Sequence, residues 1–203
     1  MNECIKEMEH YAEANNVPII EKDSIEFINK YIKLNDVKTV LEIGTAIGYS
    51  AIMMAKEKKD LEIVTIERDD KRYREAIKNI KQCELDDQIE VVFNDALDAN
   101  LAGYKFDLIF IDGAKSSYIK YFDKFRYYLN DNGAIITDNL AFHGLVENKD
   151  LIESKNVQGL VNKIENYIEY LKENEEFITK FFDIGDGLSV SYKTSNENIQ
   201  GIN

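Results

Sequence analysis

Tryptophan is absent from this chain, proline occurs once, and cysteine and histidine occur twice each. Two cysteines, Cys4 and Cys83, are too few for a disulfide framework and have no metal-ligand spacing. They read as unpaired thiols in a reducing, cytoplasmic compartment. No apolar run approaches the roughly 20 residues that cross a bilayer. The first residues, Met1-Asn-Glu-Cys-Ile-Lys-Glu7, are acidic and lack the apolar core of an export signal. Arginine is scarce, limited to Arg68, Arg72, Arg74 and Arg126, and the formal net charge is −13. That balance opposes non-specific attraction to nucleic acid, and any polyanion would have to be gripped mainly by lysines. A local basic patch remains compatible with it.

What is present is one domain's worth of chain, 203 residues with 44% hydrophobic content. Residues 1–35 read as an N-terminal helical segment, 36–193 as the core and 194–203 as a polar tail. The single proline, Pro18, separates a helix ending near Ala14 from a second over 23–34, whose apolar stripe is Ile25, Ile28 and Ile32. Strands at 37–43, 61–66, 89–93, 107–112 and 134–138 then alternate with helices at 48–58, 70–83 and 117–129. Short apolar runs joined by helices predict a parallel α/β sheet covered on both faces. In the last third, Val157, Leu160, Val161, Ile164, Ile168 and Leu171 mark one helix face. Two β-rich runs, 177–182 and 188–192, flank Gly185-Asp186-Gly187, the pattern of an antiparallel hairpin.

Two aspartates carry the functional reading. Asp112 closes Asp107-Leu-Ile-Phe-Ile-Asp112, and Asp138 closes Ala134-Ile-Ile-Thr-Asp138, with Asn139 next. Open α/β sheets bind ligands at the carboxyl edge. Three hard oxygen ligands there predict a divalent cation, Mg²⁺ or another such as Mn²⁺ or Ca²⁺. Lys115, three residues past Asp112, is the candidate general base.

The first strand runs into Glu42-Ile-Gly44-Thr-Ala-Ile-Gly48-Tyr-Ser50. Glycine permits a tight turn and close backbone approach, yet the second glycine of the dinucleotide fingerprint is missing. Glu67 ends the second strand about 20 residues on, where an acid holds ribose hydroxyls. Asn94-Asp95-Ala96-Leu97 could frame an adenine. A ribose acid without a pyrophosphate loop points to S-adenosylmethionine, whose sulfonium suits an acidic pocket. A nucleotide-dependent dehydrogenase would need the missing glycine. A non-catalytic S-adenosylmethionine-binding module would need no metal set.

Val40-Leu-Glu-Ile-Gly-Thr-Ala-Ile-Gly-Tyr-Ser50 resembles the first motif of class I S-adenosylmethionine-dependent methyltransferases. With Asn94-Asp-Ala-Leu97, Asp112-Gly-Ala-Lys115 and Thr137-Asp-Asn139, it resembles the metal-dependent catechol and caffeoyl-CoA O-methyltransferase family from about Val17 to Lys193. The resemblance implies a Rossmann-like, seven-stranded, mostly parallel sheet with a reversed last strand. It implies Asp112, Asp138 and Asn139 as metal ligands and Lys115 with Asp112 in catalysis. Glu42, Gly44, Ser50, Glu67, Asp95, Ala96 and Asp112 are the implied cofactor residues, and a homodimer through the N-terminal helices is expected.

Val17-Pro-Ile19, Ile184-Gly-Asp-Gly-Leu188 and the 139–146 stretch look most like the bacterial branch that methylates 5-hydroxyuridine in the tRNA anticodon loop. Small-molecule relatives often carry a tryptophan in that loop, and this chain has none. A small catechol-like or phenolic acceptor is the alternative. Lys115, Lys120, Lys124 and Arg126, interleaved with Tyr118, Tyr121 and Tyr127, could serve an RNA. Tyr118, Phe122, Phe125 and Leu129 also fall at core-face spacing. His143 lies just past the ligands in a loop, and His10 is given no role.

Overall fold

Two helices open the chain, α1 (Glu3–Asn15) and α2 (Lys22–Leu34), separated at Pro18 as predicted. The computed structural model describes residues 3–148, 150, 152 and 154–195. The predicted polar tail therefore lies, from residue 196 onward, outside the described residues. The core alternates β1 (Thr39–Ile43), α3 (Tyr49–Glu57), β2 (Glu62–Glu67), α4 (Asp70–Gln82), β3 (Ile89–Phe93) and β4 (Phe106–Ile111). It continues through α5 (Tyr118–Phe125), β5 (Leu129–Thr137), α6 (Lys155–Lys172), β6 (Phe177–Phe182) and β7 (Leu188–Lys193). The seven strands form one sheet in the order β3-β2-β1-β4-β5-β7-β6. Only β7 runs against its neighbours, pairing antiparallel with both β5 and β6. This is the Rossmann-like sheet with a C-terminal reversed strand that the motifs implied.

The alternation of side chains along each strand divides the core in two. Val40, Ile63, Leu108, Phe110, Ala134 and Ile136 pack toward the side of α1, α2 and α3. Leu41, Ile43, Ile66, Ile109, Ile111 and Ile135 pack toward α5 and α6. Both faces are covered, which is why the central strands read as continuous apolar runs. On α5, Tyr118, Phe122 and Phe125 are buried, so the core-face spacing holds.

Two expectations need correction. The helix predicted over 117–129 stops at Phe125, and after a 3₁₀ turn β5 begins at Leu129. Leu129 pairs with Phe106, and a bulge absorbs the polar stretch that follows; Asn130 donates to Asp107 at 2.7 Å. The cysteines are not unpaired thiols: Cys4 and Cys83 form a disulfide, with Cα atoms 5.7 Å apart. It ties the start of α1 to the end of α4, where Ile5, Ile80 and Leu85 share one core. A separation of 79 residues leaves no spacing signal in the sequence. The pairing also removes the cysteine-based case for a reducing compartment. Among the described residues no helix is long and apolar enough to cross a membrane.

Candidate active site

Strand parity brings the acids together. Positions 42, 65 and 67 share the face of Val40 and Ile63, and positions 112 and 138 continue the parity of Phe110 and Ile136. Ile111 is in register with both Ile43 and Thr137. Asp112 and Asp138 follow directly on adjacent strands, whose spacing is about 4.8 Å. Gly44 sits beside them with φ +104°, and a β-carbon there would lie 2.5 Å from the Asp112 carbonyl oxygen. The first loop thus needs glycine to close against the strand that carries the aspartate.

These residues border a cleft of about 460 Å³ at the carboxyl edge of the sheet. Gly44, Glu67 and Ala96 line one part; Asp112, Lys115, Asp138 and Asn139 line another. Pro18–Glu21, between α1 and α2, supplies a further wall. A larger hollow of about 1020 Å³, bordered by α1, α2 and α3, holds none of the predicted site residues, so size alone does not select the site.

In the Glu67 part, the carboxylate accepts from Ala46 N–H at 2.9 Å through one oxygen. Through the other it accepts from the Arg68 and Asp69 N–H groups at 2.9 and 2.8 Å. This fixes the first loop to the end of β2. Asp95 turns toward its own loop, accepting from Leu97 N–H at 2.9 Å and pairing with Arg68 at 2.9 Å. The backbone and guanidinium donors hold its carboxyl below its ordinary value. Glu42 and Ser50 lie behind the wall rather than on it. Glu42 is fully buried and accepts from Ser50 Oγ and Thr65 Oγ1, each at 2.5 Å. Burial pushes its carboxyl up to about 7, the two hydroxyl donors pull it back, and the Glu67 charge adds to the rise. Its role in the structure is to join β1, β2 and α3 beneath the loop.

In the acidic part, burial and then the charges of Asp138 and Glu42 raise the Asp112 carboxyl well above its usual range. Burial pushes Asp138 up to about 6, and the charge of Asp186 contributes to the rise. Asn139 has a left-handed backbone, φ +65°, which its short amide tolerates. Its Nδ2 donates to Asp112 Oδ1 at 2.9 Å. Among the described residues no three Asp, Glu, His or Cys side chains group to hold a metal ion. The candidate set here is two carboxylates and a neutral amide. It fits an oxygen-preferring divalent cation, because crowded like charges at one sheet edge are what such an ion offsets.

Lys115 opens a 3₁₀ turn, with Nζ 5.3 Å from the Phe142 ring centroid. Burial lowers its pKa, opposed by the charges of Asp112, Asp186 and Asp138. Burial favours the free amine over the ammonium, and the free amine is the form that can accept a proton.

Three contributors take roles that their sequence patterns do not give. Asp186 looked like a hairpin residue, yet it is buried and its charge acts on both Asp138 and Lys115. Lys124 donates to the carbonyls of Ala96, Leu97 and Ala99 at 2.8, 2.8 and 2.7 Å, bracing the loop that carries Ala96 into the cleft. Tyr118 donates to the Asp138 carbonyl at 3.0 Å from within the core. Lys124 is therefore a bracing residue of this loop, and in the sequence only the i, i+4 aromatics beside it point to a packed position.

The profile of the O-methyltransferase family matches residues 1–194, and the chain belongs to that family. It is 32% identical over 139 residues to a catechol O-methyltransferase from Niastella koreensis, covering 66% of this chain and 62% of that protein. The matched stretch spans about three-fifths of the length of the leading curated relatives. A crystal structure from Staphylococcus aureus, provisionally designated a caffeoyl-CoA O-methyltransferase, superposes with a TM-score of 0.90 at 36% identity. It covers 95% of this chain and 93% of that one. An O-methyltransferase from Bacillus cereus, in complex with SAH, shares the fold at 24% identity with a TM-score of 0.82, covering 96% and 92% of the two chains.

Proposed function

We propose that the protein transfers a methyl group from S-adenosylmethionine to one hydroxyl of a small catechol-like acceptor, assisted by a divalent cation. The observation that carries this reading is the meeting, in one cleft, of Glu67 and the Gly44 loop with Asp112, Lys115, Asp138 and Asn139. In this reading Glu67 receives the ribose hydroxyls and the 94–97 loop frames the adenine, supported by the presence of Glu67, Asn94 and Ala96 on the cleft wall. S-adenosylmethionine supplies a methyl group on a cationic sulfur, and the acidic cleft favours that charge. Asp112, Asp138 and the Asn139 amide oxygen would hold the cation, which when bound would acidify and orient vicinal hydroxyls. Lys115 Nζ takes the proton from the acceptor hydroxyl. The freed oxygen forms the new bond to the methyl carbon as the carbon–sulfur bond breaks. Phe142 offers an apolar wall for an aromatic acceptor. Alignment of donor and acceptor in such a pocket is worth on the order of 7–11 kcal/mol.

The acceptor follows from what the basic residues are doing. Of the four cations that the sequence sets beside aromatics, Lys124 is committed to three backbone carbonyls and Arg126 to Glu176. Tyr118 and Tyr121 are buried. This favours a small acceptor over 5-hydroxyuridine in a tRNA anticodon loop. The test is transfer of label from methyl-tritiated S-adenosylmethionine to 3,4-dihydroxybenzoate or to tRNA carrying 5-hydroxyuridine, with Mg²⁺ and with a chelator. Chelator-sensitive labelling of the dihydroxybenzoate is expected. Labelling of tRNA alone would replace the acceptor, and labelling of neither would overturn the reading.

A further inference from the structure

The turn between β6 and β7 does more than reverse the chain. Its backbone holds the 139–148 loop: Leu140 N–H donates to the Gly187 carbonyl at 3.0 Å and Ala141 N–H to the Asp186 carbonyl at 2.7 Å. A β-carbon on Gly187 would stand 2.8 Å from Ala141 N, so this approach requires glycine. The held loop has left-handed backbone at Phe142 and His143, φ +48° and +56°, a conformation costly for residues with a β-carbon. Something must offset that cost, and Asp186 does so in part through Oδ1, which accepts from His143 N–H.

The other carboxylate oxygen is the informative one. Asp186 is 6% exposed, and its Oδ2 is buried with no hydrogen-bond partner. His143 Nδ1 stands 3.6 Å from it, too long for a hydrogen bond and short enough to become one through a small ring rotation. The His143 side chain is 72% exposed and lines the same cleft as Asp112 and Lys115. A buried acceptor without a donor is costly, and an imidazole whose Nδ1–H is taken by a carboxylate presents Nε2 as an acceptor.

We propose that His143 is an acceptor-binding residue, with Nε2 accepting from the hydroxyl that is not methylated, and that Asp186 is the positioning residue that fixes its ring and tautomer. The pair closes when the acceptor enters. This rests on the O-methyl transfer reading and adds to it the group that decides which of two vicinal oxygens is methylated. Lys115 takes the proton from one oxygen, and His143, on the loop that follows Asn139, accepts from the other.

The test measures KM, kcat and the ratio of 3-O- to 4-O-methyl product from 3,4-dihydroxybenzoate for wild type, His143→Ala, His143→Gln and Asp186→Asn. His143→Ala is expected to raise the acceptor KM about tenfold, the worth of one net hydrogen bond. It should also move the isomer ratio toward equality and leave S-adenosylmethionine affinity unchanged. His143→Gln should restore part of both effects. Asp186→Asn should shift the ratio in the same direction, and adding it to His143→Ala should change the ratio no further. A merely structural Asp186 would lower thermal stability and leave the ratio alone, which would overturn its role. Unaltered KM and ratio in His143→Ala would overturn the whole proposal. If Asp186→Asn does not fold, the two His143 variants decide. Should wild type give no turnover, the proposed function fails. Titration of 3,4-dihydroxybenzoate onto wild type and His143→Ala, with S-adenosylhomocysteine and Mg²⁺, then judges this inference: weaker binding by the variant upholds it, and equal affinity sinks it.

Discussion

Replacing Glu42 by glutamine should make the protein more stable, by an amount that grows from about pH 4.5 and levels off above 7. Glu42 is fully buried, and its carboxyl titrates at about 7 instead of the ordinary 4.5. The sign follows from linkage. Below 4.5 the group is neutral in both folded and unfolded chains. As pH rises, the unfolded chain ionises first and gains free energy, so stability falls until the folded group also ionises near 7. The interval from 4.5 to about 7, at about 1.4 kcal/mol per pH unit, gives about 3 kcal/mol in total. Roughly 2.5 kcal/mol of this falls between pH 5 and 8. Glutamine keeps the shape, accepts from one of Ser50 and Thr65 and donates to the other. Thr65 can still pass a hydrogen bond to Thr45, 2.6 Å away. Urea unfolding of wild type and Glu42→Gln from pH 5 to 8 reads the gap, and the carboxylates that do not feel the Glu42 charge cancel in the difference. In thermal melts the gap corresponds to a shift on the order of 5–10 °C for a chain of this size. A gap that stays flat across this range would show that Glu42 bears its charge without penalty, and the account of the buried acid would fall.

Three further outcomes are expected. Asp138→Ala should abolish methyl transfer while S-adenosylmethionine binding by calorimetry persists; its melting temperature at pH 8 should rise, because a carboxyl titrating near 6 is then carried as an unfavourable buried charge. Lys124→Met leaves three carbonyls without their donor and should cost about 2 kcal/mol, after allowance for the partial exposure of the lysine. It should also weaken cofactor affinity, read by melts with and without S-adenosylmethionine. Gly44→Ala puts a β-carbon against the Asp112 carbonyl in a left-handed backbone, so a loss of at least about 3 kcal/mol, or no soluble protein, is expected in expression trials and melts.

Much of the fold was legible because parallel strands buried on both faces are mainly apolar, as the Leu108–Ile111 run of β4 and the Ala134–Ile136 run of β5 are. The same logic exposed Asp112 and Asp138, since a carboxylate at the end of such a run breaks the pattern. What escaped depends on distant contacts. Cys4 and Cys83 meet only because α1 packs against the end of α4. Asp186 has the sequence signature of any turn, and its burial arises from the loop that folds over it. Glu42 was read as facing a ligand, although its position on β1 gives it the same face as Val40, which packs inward with α3. Lys124 illustrates how a charge can look available in a sequence and be committed to backbone carbonyls in the fold.

The reversal of β7 has a mechanical consequence. In a wholly parallel sheet each strand reaches the ligand edge and departs into a long crossover. Here β6 arrives and β7 leaves through residues 183–187 alone, so that part of the rim is tied to the sheet on both sides. It acts as a doorjamb, stiff where the acceptor must be aligned. Pro18–Glu21, which borders the same opening beside the turn at Gly185, lies outside any strand or helix, and it is the sill on which accommodation of bulkier guests would fall.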